Sequence, residues 1–172
     1  MSEPAWRRVG QLGDGWLASR VTLVRTLKIE RQTFDFQAPK VYLRDSGLLH
    51  ALLGLAGERE ILSHPKVGAS WEGYVIEETL TLLRPEAAYF WATHTGAELD
   101  LLLVKRGRRY GVEVKFQDAP RLTPSMRIAL SDLRLQQLTV LYPGDQRYAL
   151  DPRVTVVPLA ELATHPEVVT RS

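Results

Sequence analysis

Two short stretches of this sequence carry acids and a lysine at a spacing suited to phosphodiester hydrolysis. The first is Gly96–Leu101 (GAELDL), which contains Asp100, and the second is Val112–Lys115 (VEVK), which contains Glu113. Successive side chains of a strand point to opposite faces, so Glu113 and Lys115 share one face if the second stretch is a strand. If the two stretches pair as a hairpin, the acid of the first lies on the same side of the sheet as the acid and lysine of the second.

Three strands are expected around these motifs, because the segments are aromatic, apolar or strictly alternating and are separated by polar, glycine-containing turns. They are Tyr89–Thr93, Glu98–Val104 and Tyr110–Phe116. Regular alternation in the second strand predicts that Glu98 and Asp100 lie on one face and that its apolar residues lie on the other. Those apolar residues are Ala97, Leu99, Leu101 and Leu103.

Carboxylates gathered on one face repel each other unless a cation offsets them, and a divalent metal ion is the usual partner. Asp100 and Glu113 offer the oxygen ligands that Mg²⁺ or Mn²⁺ prefers. Lys115 is suited to orienting a water molecule or stabilising the charge that develops on the phosphorus oxygens. A Glu-x-Lys pair is also common on the solvated face of a hairpin, so the spacing alone leaves both interpretations open.

The two motifs together resemble the core of the PD-(D/E)xK nuclease superfamily. More closely, the chain resembles the C-terminal module of prokaryotic AAA-type ATPases known as domain-of-unknown-function family 4143. Leu99 stands where the superfamily name has proline, which leaves the resemblance in fold intact. The likeness spans about Phe34 to Leu162. Three further stretches carry it, and they are Lys40–Leu53, Gly68–Glu78 and Val154–Leu162.

This resemblance implies an α/β (α+β) sandwich, with a restriction-endonuclease-like mixed central sheet flanked by helices. It implies a Mg²⁺- or Mn²⁺-dependent nuclease acting on DNA, in which Asp100, Glu113 and Glu72 bind the metal ion and Lys115 assists the attacking water. The alternative is a catalytically inactive module of the same fold, because a fold does not guarantee a chemistry. Such a module would serve DNA binding, homo-oligomerisation or docking to an AAA-type ATPase partner.

The accessory acid is expected on a helix over Ser70–Leu83, with Ser70 as its N-cap and Pro85 after its end. Both Glu72 and Glu78 match glutamates of the family. Residues six apart on a helix are rotated by about 120°, so these two cannot serve one metal ion equally. We expect Glu72, in the first turn, at the site and keep Glu78 as the alternative. The stripe expected to face the core comprises Trp71, Tyr74, Val75, Thr79 and Leu82.

Capping signals and periodicity predict the remaining elements. Asp45 or Ser46 caps a helix that runs to about Leu55, and its five leucines cover one broad apolar face. A further helix runs from residue 124 to about 133, with Thr123 as its N-cap. Extended segments are expected at 41–43, 135–142, 148–151 and 154–157, and a last helical turn is expected at 159–163.

Composition narrows the class of protein. The chain has 172 residues, of which 45% are hydrophobic and 24% are charged, as in a soluble globular protein of one domain. It contains no cysteine, which excludes disulfides, thiolate catalysis and cysteine-ligated zinc. A net charge of +2 neither requires nor excludes DNA. No apolar run approaches the roughly 18 residues of a membrane span, so we expect a cytoplasmic protein without a membrane partner.

The N-terminal part is the least coherent. We expect residues 1–33 to be a poorly defined basic segment, the stub of a longer protein, and residues 34–172 to be the nuclease-like domain. Within the first part, 16–27 fits either a short helix or a strand. No phosphate-binding Gly-x-x-x-x-Gly-Lys-Ser/Thr motif occurs in the chain, so an ATPase half is not expected here.

Overall fold

The computed structural model describes residues 21–26 and 40–171, and within them eight strands form one mixed sheet. The strands are β1 Val21–Thr26, β2 Lys40–Leu43, β3 Ala87–Ala92, β4 Glu98–Lys105, β5 Arg108–Val114, β6 Gln137–Tyr142, β7 Tyr148–Asp151 and β8 Val154–Pro158. Their order across the sheet is β2-β1-β3-β4-β5-β6-β8-β7. The three strands predicted around the acidic motifs are confirmed to within two residues. The boundary predicted at residue 33 lies outside the described residues.

The helices flank this sheet on both faces, which confirms the predicted mixed α/β class. They are α1 Ser46–Leu52, α2 Glu58–Ser63, α3 Val67–Leu83, α4 Pro124–Asp132, α5 Leu159–Thr164 and a 3₁₀ helix at Pro166–Val169. The Thr123 side chain accepts a hydrogen bond from the Met126 N–H, as its predicted capping role requires. Within residues 40–171, no helix combines the length and apolarity that crossing a membrane requires.

Two apolar clusters form the core, one on each face of the sheet. On one face, β4 and β5 pack against α3 and α5 through residues such as Leu101, Val112 and Ile76. On the other face, β4 and β6 pack against α4 through residues such as Leu102 and Met126. Each fully buried side chain of this size contributes about 1.5–3 kcal/mol relative to its exposed state. The central hairpin is therefore held rigidly from both sides.

One feature of β4 departs from the regular alternation predicted for it. Trp91 of β3 pairs with Leu99, whereas Tyr89 pairs with Leu102, so three steps along β4 match two steps along β3. This register shift is a β-bulge, and the additional residue falls at or next to Asp100. A bulge reverses the alternation of every residue beyond it.

The bulge overturns the prediction that the apolar residues of β4 share one face. Leu99 packs in the cluster with α4, whereas Leu101 and Leu103 pack in the cluster with α3. Asp100 interacts with groups of α3 and β2, so it lies on the α3 side. Because of the extra residue, Asp100 and Leu101 both face α3. In a regularly pleated strand these neighbours would face opposite sides of the sheet.

Helix α3 begins at Val67, so the prediction that Ser70 is its N-cap is wrong. Ser70 is buried inside the helix, and its hydroxyl lies 2.8 Å from Nε2 of His50. The predicted stripe is also rotated, because the small residues Ser70 and Gly73 face inward while Tyr74 and Leu82 are exposed. Gly73 leaves room for the ring of a β2 tyrosine, which a larger residue would contact at 3.2 Å.

Helix α1 is shorter and more exposed than predicted. Asp45 caps it by accepting a hydrogen bond of 3.0 Å from the Leu48 N–H, as expected. The helix ends at Leu52, however, and none of its residues is buried. Leu52 is 69% exposed and Leu53 is 40% exposed, whereas Leu48 and Leu49 are half-buried, so the described part of the chain covers the predicted apolar face only in part.

Candidate active site

The open end of the β4–β5 hairpin holds Asp100 in place. Residues of β4 and β5 pair from Lys105 with Arg108 at the turn to Leu101 with Val112 at the other end. One residue further, Oδ2 of Asp100 accepts a hydrogen bond of 2.9 Å from the Val114 N–H. The carboxylate thus takes the place of a backbone acceptor where the register ends, and the side chain of Asp100 is fixed at 6% exposure.

Glu113 lies beside it on β5 and is only 4% exposed. Its Oε1 lies 2.6 Å from Nζ of Lys115, two residues on, as the predicted alternation requires. Its Oε2 is buried and has no hydrogen-bond partner in the described part of the chain. A buried carboxylate oxygen without a partner is costly, because it has lost its hydration without replacement.

Glu72 reaches the same region from α3, where it lies in the second turn and not in the first. Its Oε1 accepts hydrogen bonds from Nζ of Lys40 at 3.0 Å and from the Tyr42 hydroxyl at 2.5 Å. The same lysine nitrogen lies 3.4 Å from Oδ1 of Asp100. The Lys40 ammonium therefore bridges two carboxylates that sequence reasoning assigned to a metal ion.

Burial and neighbouring carboxylates shift both strand acids toward their neutral forms. Burial raises the pKa of Asp100, and Glu72 raises it further, while the Val114 N–H and two lysines oppose the rise. Burial and the neighbouring Asp100 raise the pKa of Glu113 to about 7, against the opposing charge of Lys115. Asp100 is thus close enough to Glu113 to favour the neutral form of that carboxyl group.

The two lysines respond in the opposite sense to the same charges. Burial alone lowers the pKa of Lys40, but Asp100 and Glu72 outweigh it and raise that pKa above its ordinary value. Glu113 and Asp100 likewise outweigh burial at Lys115 and raise its pKa. Glu98 also raises both pKa values, so both lysines are ammonium ions at neutral pH.

The structure brings the predicted residues together in two linked pairs. Lys40 joins Glu72 to Asp100, Lys115 binds Glu113, and the two strand acids interact electrostatically. Across residues 40–171, no three His, Cys, Asp or Glu side chains converge as a metal-binding group. The metal and catalytic roles of Asp100, Glu113, Lys115 and Glu72 consequently stay predictions.

The alternative helix acid lies in a different environment. Glu78 lines a groove of about 360 Å³ between α3 and α5, together with Trp71, Tyr74 and Pro143. Its neighbour Glu77 forms an ion pair of 2.7 Å with Arg44. Of the two helix glutamates that match the family, Glu72 is the one that the contacts link to Asp100.

Sequence reasoning missed Lys40 and Tyr42 as members of this site. They lie two apart on β2, so they share a face of that strand, and Lys40 contacts Asp100 across a separation of 60 residues in the chain. The only sequence signal was their place in a stretch that resembles the family. Their proximity to Glu72 follows from the packing of β2 on α3, which a sequence pattern does not encode.

The donor chemistry of this region fits a hard divalent cation such as Mg²⁺ or Mn²⁺. Its acceptors are carboxylate oxygens, which these ions prefer, and one of them, Oε2 of Glu113, is a buried atom without a partner. Four carboxylates, those of Glu72, Glu98, Asp100 and Glu113, interact with two ammonium groups, so the region carries excess negative charge when all six groups are ionised. Asp100 and Glu113 would supply the first ligands, and Glu72 is the helix acid that Lys40 links to Asp100.

A comparison with protein families matches residues 67–162, more than half of the chain, to Domain of unknown function (DUF4143). The chain belongs to the DUF4143 family. The matched DUF4143 region contains Glu72, Asp100, Glu113 and Lys115. Lys40 and β2 precede it.

Among curated proteins, the chain is similar to an uncharacterized protein of Mycobacterium bovis and to one of Mycobacterium tuberculosis. Each is 45% identical over 128 residues, which cover 74% of this chain. The matched segment covers 29% of each mycobacterial protein, so this DUF4143 chain spans less than a third of the length of those relatives. No solved structure matches the chain.

Proposed function

We propose that this DUF4143 chain is a divalent-metal-dependent nuclease domain of the PD-(D/E)xK type that hydrolyses phosphodiester bonds in DNA. One observation carries the proposal. Two buried acids with raised pKa values lie at the open end of a hairpin beside a lysine, and one buried carboxylate oxygen has no partner. Perturbed acids of this kind concentrate at functional sites, since a stable fold has no need of them.

Each side chain of the site has a proposed role that follows from its position. Asp100 and Glu113 would hold the metal ion, with Glu72 as an accessory ligand. When bound, Mg²⁺ or Mn²⁺ lowers the pKa of a water molecule and offsets the negative charge of the phosphate. Lys115, held by Glu113 at 2.6 Å, would orient the attacking water and stabilise the charge that develops on the phosphate oxygens.

DNA is favoured as the substrate by the resemblance, and the charge of the hairpin turn is compatible with it. Three arginines and one lysine occupy the turn and its flanks, where contacts to a phosphate backbone would add affinity without sequence preference. They are Lys105, Arg106, Arg108 and Arg109.

Nicking of supercoiled plasmid in Mn²⁺ or Mg²⁺ tests the proposal directly. We expect Asp100→Asn, Glu113→Gln and Lys115→Met each to lower the nicking rate by about 100-fold or more, as loss of a group acting on the transition state does. Asp118→Asn, which neutralises an exposed acid just beyond β5, should leave the rate unchanged. Equal rates in all five proteins, or rates independent of the metal ion, would refute the nuclease proposal.

A second candidate is favoured by the bridging position of Lys40. An ammonium group that already neutralises Asp100 and Glu72 suits a module that has kept the fold without the chemistry. In that case the exposed apolar face of α1 would serve docking, to a second copy or to an AAA-type ATPase partner. Metal-independent association, abolished by Leu52→Glu and unaffected by Asp100→Asn, would support this candidate over the first.

A further inference from the structure

We propose that Lys40 is a tethered cation that competes with the divalent metal ion for Asp100 and Glu72. The site would then accept the metal ion only when the lysine of β2 withdraws. This inference rests on the metal-binding part of the proposed function and not on nuclease activity itself. It concerns a residue outside the matched family region, on a strand at the edge of the sheet.

The competition follows from which atoms the lysine occupies. Nζ of Lys40 contacts Oε1 of Glu72 at 3.0 Å and Oδ1 of Asp100 at 3.4 Å, and these oxygens belong to two of the carboxylates that would hold the metal ion. The ammonium also lies 4.3 Å from the centre of the Phe90 ring, which stabilises its charge further. Two cations cannot occupy this position together, because they repel each other in a partly buried region.

The strand that carries the lysine is placed to hold it and also to release it. Lys40 is the first residue of β2, an edge strand that pairs with β1 alone among the described strands. Tyr42 binds Glu72 from the same face of β2, and its ring lies close to Gly73 of α3. Edge elements with few backbone partners open at lower free energy than central strands.

The other lysine does not compete in this way. Lys115 binds Oε1 of Glu113 and leaves Oε2 of the same carboxylate buried without a partner. A metal ion that gained Oε2 would therefore need to displace a single cation, Lys40, from Asp100 and Glu72, together with the Tyr42 hydroxyl that donates to Oε1 of Glu72. The withdrawn lysine would move toward solvent, where its charge is readily hydrated.

Mn²⁺ affinity measured by titration calorimetry on the full chain tests the inference. We expect Lys40→Met to bind Mn²⁺ about tenfold more tightly or better than the wild type, because the competing charge is gone while the length of the side chain is kept. Lys66→Met removes the same charge from an exposed lysine and should change the affinity little. In the Lys40→Met protein, a further Asp100→Asn substitution should remove the gain.

A second measurement avoids the risk that the variant folds poorly. In the wild type, acetylation of each lysine is followed by mass spectrometry with and without Mn²⁺. Lys40 should react slowly without the metal ion, because its ammonium is paired, and at least about threefold faster with it, whereas Lys66 should be unaffected.

The outcomes separate this inference from the nuclease proposal. Tighter Mn²⁺ binding in Lys40→Met without nicking by any variant would support the competition and refute the nuclease. The competition would be overturned if a folded Lys40→Met protein bound Mn²⁺ no more tightly than the wild type, or if neither protein bound Mn²⁺. It would also be overturned if the acetylation rate of Lys40 were the same with and without the metal ion.

Discussion

The two ends of the β4–β5 hairpin carry charge in opposite ways. At the turn, Arg106 and Gly107 adopt positive φ angles of 52° and 69°, and their N–H groups face the Glu86 carboxylate. Lys105 donates to the last carbonyl of α3 at 2.8 Å. These charges lie at the surface and satisfy backbone groups. At the open end, Asp100 and Glu113 are buried and both have raised pKa values, and Asp100 contributes to the rise at Glu113.

This difference separates a structural from a functional use of charge. The turn residues close a hairpin and end a helix, so the fold alone accounts for the contacts that they make. The open end instead keeps buried carboxylates where apolar residues of similar size would be at least as stable. Local departures from stability of this kind are expected at functional sites, so the open end is the part of the hairpin to test first.

The largest expected effect is a dependence of stability on pH that arises at Glu113. Its pKa is raised from 4.5 to about 7 in the folded chain, so between these values the folded state binds more protons than the unfolded state. The free energy of unfolding must therefore fall as pH rises from about 4.5 to 7 and level off above, by about 3 kcal/mol in total. Urea unfolding at pH 5 and pH 8, without metal ions, measures it.

The matched variants for this prediction are Glu113→Gln and Asp118→Asn. Glu113→Gln should lose most of the pH dependence and should be more stable than the wild type at pH 8, because the buried charge is gone. Asp118→Asn should retain the dependence of the wild type. A wild-type stability that instead rises with pH across this range would mean that the open end tolerates its charges as easily as the turn does.

A smaller effect is expected from the backbone contact of Asp100. Asparagine keeps an oxygen that can accept the hydrogen bond of the Val114 N–H, whereas alanine leaves that buried donor without a partner. We expect the free energy of unfolding of Asp100→Ala to be about 1–2 kcal/mol lower than that of Asp100→Asn at pH 7. Chemical denaturation of both variants measures the difference.

Equal stability of these two variants would contradict the structural role assigned to Oδ2 of Asp100. The comparison is informative because both substitutions remove the negative charge, whereas only asparagine keeps an acceptor and nearly the size of the side chain. It therefore separates what the carboxylate does for the fold from what it does in the proposed chemistry, where both variants should be equally inactive.

The sequence was sufficient where a local rule decides the structure. Thr123 and Asp45 cap their helices as predicted, and alternation places Glu113 beside Lys115. It was insufficient where packing decides. The bulge near Asp100 and the rotation of α3 about Gly73 depend on the shapes of neighbouring elements.

The candidate site shows the same limit. The acids could be proposed from their spacing and from the family resemblance. Lys40, which bridges two of them, could not, because 32 residues separate it from Glu72 and 60 separate it from Asp100. An edge strand contributes to a site through tertiary contacts alone, and no periodicity in the sequence records such contacts.

The smallest expected effect tests the turn end, where only backbone geometry is at stake. Gly107 has a φ of 69°, and a Cβ added there would meet no atom within 4 Å, so Gly107→Ala should cost about 1 kcal/mol through conformational strain alone. Gly68→Ala makes the same chemical change inside α3, also with open space around it, and should stabilise by up to about 1 kcal/mol. Thermal unfolding of both variants measures these shifts. Neither substitution should alter Mn²⁺ affinity, and a loss of affinity in Gly107→Ala would mean that the two ends of the hairpin are coupled.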